Sequence, residues 1–373
     1  MIYNFNFYNL VLILFYLLIK YTMEIYKLFR NRKIPLKISV LGAGSWGTTV
    51  ARILANNVKN NFIFGNKVYL WTKRKKLVKS INLTHYNNQY LEGIKLPKNL
   101  IANNDLENIY INSDIIFFAI PYPYIIDVSN KLSKLENNHK LKIGVLLSKG
   151  IFIKDNKPYP FSYHLKELLG LETVILSGAN VAKWVAEDQF AEATIGCNSI
   201  RIGNLIKELV KTDSFRISVV RDIPSVEMLG SLKNIVGMSA GIIDGLGFAS
   251  NTKATIIRLG INEMISFIKY FFNNKKNIIL ENCGIADTIT TCYGGRNRLC
   301  AEELVKTGKD IGDLEKLLLN GQKLQGPTTC EQVFEILKNE NLIDKFPLFV
   351  TTYNIIILKK NPNVTINEYF KII

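Results

Sequence analysis

Leu36-Lys-Ile-Ser-Val-Leu-Gly-Ala-Gly-Ser-Trp-Gly47 is a short apolar segment that runs directly into three spaced glycines. Ile38 to Leu41 predicts a buried strand, and the residues after Gly47 predict a helix to about Asn56. Gly42, Gly44 and Gly47 form G-x-G-x-x-G at the turn between them. The first glycine permits a tight turn. The second lets the backbone approach a pyrophosphate, and the third lets helix and strand pack closely. The helix N-terminus then faces the phosphates. A lone match is weak, but in this strand–turn–helix context it predicts a dinucleotide site.

The same rhythm continues outward. Val68–Trp71, Ile115–Ile120, Ile143–Leu147 and Val174–Leu176 are further apolar segments, and Arg216–Val220 reads as a last strand. Asn60, Asn61, Gly65 and Asn66 mark a loop after the first helix. Short apolar strands at this spacing predict an α/β fold, a doubly wound parallel sheet with helical crossovers. Ligands of such sheets sit at the carboxyl ends of the strands. After Asp222-Ile-Pro-Ser225 the pattern turns helical, with Pro224 and Ser225 suited to a helix start. The expected division is residues 1–35 as leader and basic linker, 36–222 as the nucleotide-binding domain, and 223–373 as an all-helical domain.

Composition narrows the function classes. The 373 residues are 48% hydrophobic and 21% charged, which suits a globular chain with two domains. The formal charge of +16 comes with no zinc-finger spacing, RNA-binding aromatic motif or basic zipper helix, so nucleic acid is not the expected partner. Five cysteines, none in CxxC spacing, predict reduced thiols and no metal site. His85, His139 and His164 lie in no catalytic motif.

The N-terminus is distinct. Leu10–Ile19 is continuously apolar but half the length that spans a bilayer, about 20 residues. It resembles the hydrophobic region of a leader or signal anchor, followed by the basic Lys27, Arg30, Arg32 and Lys33. A start at Met23 is the competing reading. The two imply different locations: cytoplasmic from Met23, or organelle-targeted or membrane-anchored through residues 1–22.

Several residues stand where chemistry belongs. Lys233 is the only charge between Met228 and Ile243. On a helix, Gly230, Gly237, Ala240 and Gly241 share its face, which predicts an ammonium with open room around it. The competing reading has Lys233 snorkel to solvent while the small residues admit a neighbouring helix. Lys149 follows the fourth strand in S-K-G, and Asn180 follows the fifth in S-G-A-N. Arg296 and Asn297 follow a glycine pair and precede a helix, a suitable clamp for an oxyanion or phosphate. Asp287 sits upstream among apolar residues, able to pair with a lysine. After the second strand, Lys73-Arg-Lys-Lys76 stands where an acid would receive the adenine ribose, so NADP is an alternative to NAD.

G-A-G-S-W-G, S-K-G, S-G-A-N-V-A, G-S-L-K-N-I-V, D-G-L-G-F, N-T-K, C-Y-G-G-R-N-R and N-G-Q-K-L-Q-G-P occur in that order. Together they resemble the eukaryotic NAD-dependent glycerol-3-phosphate dehydrogenases, from Leu36 into the C-terminal helices. The resemblance implies a Rossmann domain, a helical second domain and a homodimer. It implies reversible reduction of dihydroxyacetone phosphate to sn-glycerol 3-phosphate, a link between glycolysis and glycerolipid synthesis. Lys233 would be the catalytic acid/base, with Lys149, Asp287 and Asn180 completing the pocket. Lys149, Arg296 and Asn297 would hold the substrate. Gly42, Ala43, Gly44, Ser45, Trp46, Gly47, Tyr124, Lys149, Ala182, Arg296, Lys323 and Gln325 would contact NAD. Lys73 departs from the aromatic residue of animal members. The competing functions are another lysine-dependent hydroxyacid dehydrogenase of this architecture, and a non-catalytic nucleotide-binding protein tethered to a membrane.

Overall fold

A computed structural model describes residues 35–135, 142–273 and 277–372, together with Met23. The apolar run Leu10–Ile19, the basic stretch Lys27–Lys33 and His139 lie outside the described residues. No helix among the described residues is long and apolar enough to cross a membrane.

The central sheet has eight strands: β1 (Leu36–Leu41), β2 (Phe64–Trp71), β3 (Leu100–Asn103), β4 (Ile115–Phe118), β5 (Ile143–Leu146), β6 (Glu172–Ser177), β7 (Ala191–Cys197) and β8 (Phe215–Val220). Their order is β8-β7-β6-β5-β4-β1-β2-β3. The order reverses beside β1, which is flanked by β2 on one side and β4 on the other. That reversal opens a crevice at the carboxyl edge, where the glycine turn lies.

The central strands β4 and β5 are apolar throughout because both faces are covered. Ile115 and Phe117 of β4 enter one core with Val50 and Leu54 of helix α1 (Ser45–Asn57). Ile116 and Phe118 enter the opposite core. Successive side chains of a strand point to opposite faces, so both faces select apolar side chains, and a buried polar one such as Ser39 takes a partner, here the Ser113 hydroxyl at 2.9 Å. The second core runs without a break into the C-terminal helices, through Leu229, Leu232 and Val236 to Met264 and Phe267.

Three expectations need correction. The sheet is not wholly parallel: β6 and β7 pair antiparallel, Val174 opposite Cys197. Strands β3 and β7 were not anticipated. Leu-Ile-Ala-Asn is very short, and Ala-Glu-Ala-Thr-Ile-Gly-Cys mixes small and polar residues with one large apolar side chain. Gly65 and Asn66 belong to β2, not to a loop, and a register shift between Leu36 and Ile38 accommodates this part of the strand.

Helix α2 (Ile223–Gly245) begins where the sequence places it. The Asp222 carboxylate accepts the Ser225 N–H at 2.9 Å, and Pro224 lies in the first turn. Every residue from Ser225 to Ile243 is buried, as a helix apolar on all sides requires. The buried Glu227 carboxylate accepts the Phe161 N–H at 2.6 Å and the Ser162 hydroxyl at 2.6 Å. This bond pins the first turns of α2 to a helix on the sheet.

Candidate active site

The glycine turn is built as its spacing demands. Gly42 has φ +115°, and a Cβ there would lie 2.6 Å from the Ala119 carbonyl oxygen. A Cβ on Gly47 would lie 1.9 Å from the Gly42 oxygen. A Cβ on Gly44 would meet no neighbouring element within 4 Å. Two glycines therefore admit protein backbone, and the middle one leaves its side of the turn clear for a ligand. The turn is braced from outside: buried Asn87 donates to the Ala43 carbonyl at 3.0 Å and to Thr48 at 2.8 Å. Thr49 donates to the carbonyl of Ala182 at 3.0 Å, holding the segment after Asn180 against α1. Ala43 is buried; Ser45 and Trp46 are half-buried, Trp46 edge-on to Phe215 at 6.2 Å.

Lys149 leaves the carboxyl end of β5 on a constrained loop. The Ser148 hydroxyl donates to the carbonyls of Ile120 and Phe118, and the Gly150 N–H donates to Ser231 of α2 at 2.9 Å. Anchored at both sides, Lys149 reaches Asp287, its ammonium 2.8 Å from Oδ2. Lys233, on α2, donates to the other oxygen, Oδ1, and to the Thr291 hydroxyl at 2.8 Å. One buried carboxylate thus joins two lysines that lie 84 positions apart in the chain.

Asp287 is delivered by a π-helical turn, Asn282–Ala286, at the head of helix α3 (Asp287–Gly294). Such turns recur at functional sites because they offset the helical register locally. The Asn282 side-chain oxygen accepts the Ala179 N–H at 2.7 Å, tying this turn to the S-G-A-N loop. Half-buried Asn180 is the next residue.

Burial lowers the Lys233 pKa from 10.5 to about 7; Asp287 opposes the shift and Lys149 adds to it. Lys233 is only 7% exposed and its ammonium is bonded inside the fold, which settles the two readings of the isolated lysine in favour of burial. The glycine stripe, however, does not leave open room. A Cβ on Gly230 would meet Ser177 at 2.7 Å, one on Gly237 would meet Thr291 at 2.7 Å, and one on Gly241 would meet the Arg298 carbonyl at 2.1 Å. The small residues bring three other elements against α2, and they bring Thr291 to Lys233.

The Arg296–Asn297 pair opens helix α4 (Arg296–Thr307). Its two side chains part company. The buried Asn297 amide donates to Asn234 at 2.9 Å and accepts the Gly326 N–H at 3.0 Å. Arg296 is exposed and donates to Gln322 at 2.8 Å. The two side chains of the expected clamp thus take different partners: Asn297 links α2 to helix α5 (Gly326–Asn339), and Arg296 reaches Gln322 at the surface. The first-turn N–H groups of α4 have no partner within their own helix.

Lys323 pairs with buried Glu315 at 2.6 Å. Gln325 is half-buried at the head of α5. Tyr124, exposed beyond β4, carries the Lys73 ammonium over its ring at 5.7 Å. Of the described histidines, His164 stacks on Phe152 and His85 ends a surface helix. All five cysteines are free and buried, and no metal-binding cluster occurs among the described residues.

Residues 37–202 match the N-terminal domain, and residues 222–367 the C-terminal domain, described as NAD-dependent glycerol-3-phosphate dehydrogenase. The chain belongs to this family. The cytoplasmic NAD(+) glycerol-3-phosphate dehydrogenase of Rattus norvegicus is 44% identical over 327 residues, 86% of this chain and 93% of its own length. The structure of the Plasmodium falciparum glycerol-3-phosphate dehydrogenase superposes with a TM-score of 0.84 at 36% identity, covering 89% of this chain and 94% of that one. The Saccharomyces cerevisiae enzyme gives 0.81 at 33%, covering 90% and 99%.

Within this glycerol-3-phosphate dehydrogenase fold, two residues absent from the sequence reading stand beside the predicted ones. Thr291 bonds Lys233, and Asn234 holds Asn297. The only signal for Asn234 was its place after Lys233, and Thr291 lies in a run of threonines that no periodicity distinguishes.

Proposed function

We propose that this chain catalyses the reversible reduction of dihydroxyacetone phosphate to sn-glycerol 3-phosphate. The observation that carries the reading is the linked set Lys149–Asp287–Lys233–Thr291, set at the carboxyl edge of a sheet that also holds the glycine turn. The clear space beside Gly44 and the unobstructed start of α1 suit a dinucleotide pyrophosphate. Bound NADH supplies the hydride. In this reading Ala182, Tyr124, Lys323 and Gln325 line the rest of that groove.

As the substrate carbonyl is reduced, negative charge develops on its oxygen. Lys233 as ammonium stabilises that charge and donates the proton. In the reverse direction its neutral amine receives the proton. Asp287 and Thr291 orient the amine, and Lys149 adds positive potential beside it. Arg296, Lys149 and the N-terminal N–H groups of α4 receive the substrate phosphate, with Asn297 and Asn180 shaping the pocket. Holding the remote phosphate orients the reacting carbon.

The full chain mixed with NADH and dihydroxyacetone phosphate is expected to consume NADH. No consumption at any substrate concentration overturns the reading. Arg296→Ala lowers kcat/KM by about a hundredfold, in the range of a lost charge-assisted phosphate contact. An unchanged rate at low substrate removes Arg296 from the phosphate site. We further propose the division into residues 36–222 and 223–373, and a homodimer, whose mass in solution is the check. Any membrane contact is assigned to residues 1–22 alone.

A further inference from the structure

We propose that the adenosine end of the cofactor groove accepts a 2′-phosphate, so that this chain binds NADPH nearly as well as NADH. The inference rests on the dinucleotide reading above. It concerns a basic motif that reading leaves unused, Lys73-Arg-Lys-Lys76.

Position comes first. Leu41 of β1 is in register with Trp71 of β2, and the Gly42 N–H donates to the Trp71 carbonyl at 3.0 Å. The residues after Trp71 therefore emerge beside the glycine turn. In a nucleotide-binding βαβ unit this is where the adenine ribose lies, and an acid there selects NAD by accepting the ribose hydroxyls. From Trp71 to Tyr90 the chain has no Asp or Glu. Thr72 is buried and Lys73, Arg74, Lys75 and Lys76 are exposed.

Charge comes second. Among the described residues none of these four cations pairs with a carboxylate, although paired lysines are common elsewhere in the molecule. Two of them are instead held on aromatic rings. Lys73 stands 5.7 Å over Tyr124, across the groove, and Arg74 stands 5.3 Å over Tyr90. A cation on a ring face keeps its outward N–H groups for another acceptor. Arg74 offers the planar fork that matches phosphate, and Lys73 a point charge. A neutral ribose hydroxyl uses neither charge. A phosphomonoester on the same carbon uses both.

The test is the ratio of the NADPH and NADH dissociation constants, read by nicotinamide fluorescence on the full chain at physiological salt. The expected ratio is within about tenfold of one. Lys73→Glu is expected to strengthen NADH and weaken NADPH, changing the ratio by about tenfold or more, one charge-assisted contact's worth. Arg74→Ala moves it in the same direction. Both side chains are exposed, so the wild-type ratio and the variants report on the pocket and not on folding. A wild-type preference for NADH beyond about tenfold, or a ratio unmoved by Lys73→Glu, overturns the inference and leaves the NADH site standing. Failure of both cofactors to bind overturns the dinucleotide reading itself.

Discussion

Lys233→Met abolishes turnover, by about a thousandfold or more, while NADH still binds. Methionine keeps the length and apolar stem of lysine and removes only the ammonium. The Asp287 and Thr291 partners stay in place, and Lys149 still neutralises Asp287. What is lost is the proton and the positive charge at the carbonyl oxygen. Steady-state rates with a parallel NADH titration separate these outcomes. Turnover within about tenfold of wild type removes Lys233 from the chemistry.

The same lysine sets a pH dependence with opposite signs in the two directions. Its pKa is lowered from 10.5 to about 7, chiefly by burial. Carbonyl reduction needs the ammonium, so its kcat/KM falls as pH rises through about 7. Alcohol oxidation needs the free amine, so its kcat/KM rises through the same region. Profiles that bend in the same direction would separate the observed titration from Lys233.

Asp287→Asn is the second large effect, and it acts on stability as well as rate. Asp287 is the shared partner of two lysines, with its side chain 3% exposed. Removing one member of a buried ion pair costs about 3–5 kcal/mol. The sign with pH follows from the lysine. In the wild type, between about 7 and 10.5, the folded chain has released a proton that the unfolded chain still holds, so stability rises with pH across that window. Asp287 is the main influence holding the Lys233 value up. Without it the value falls further, the window extends below about 7, and the variant loses more stability as pH falls. Chemical denaturation is therefore expected to show a larger deficit at about pH 6 than at about pH 9, with kcat for reduction down by about a hundredfold. Equal midpoints for variant and wild type at both pH values would show that the carboxylate holds nothing together.

The parts legible in the chain are those where one residue type answers a local demand. Gly42 must take φ +115°, and Gly47 must let Gly42 lie against it, so glycine at that spacing reports the turn directly. The apolar strands report a sheet covered on both faces. Asp222 and Pro224 report the start of α2. Strands β3 and β7 are not legible because Leu-Ile-Ala-Asn has only two large apolar residues and Ala-Glu-Ala-Thr-Ile-Gly-Cys only one, whereas β4 and β5, as short as β3, are apolar at every position.

Lys233 marks the boundary between the two kinds of knowledge. By itself the sequence determined that a lone lysine sits on a glycine-lined helix face, beside a nucleotide-binding sheet and a set of motifs shared with one enzyme family. Only the tertiary structure decided what surrounds it. The glycines do not hold space for a ligand; they let Ser177, Thr291 and Arg298 close on α2. That approach brings Asp287, 54 positions away, onto the ammonium, and Asp287 in turn reaches Lys149. Local sequence encodes conformation and burial, whereas a side chain's partner depends on how separate elements pack. The pairing that tunes Lys233 is therefore a property of the assembled fold.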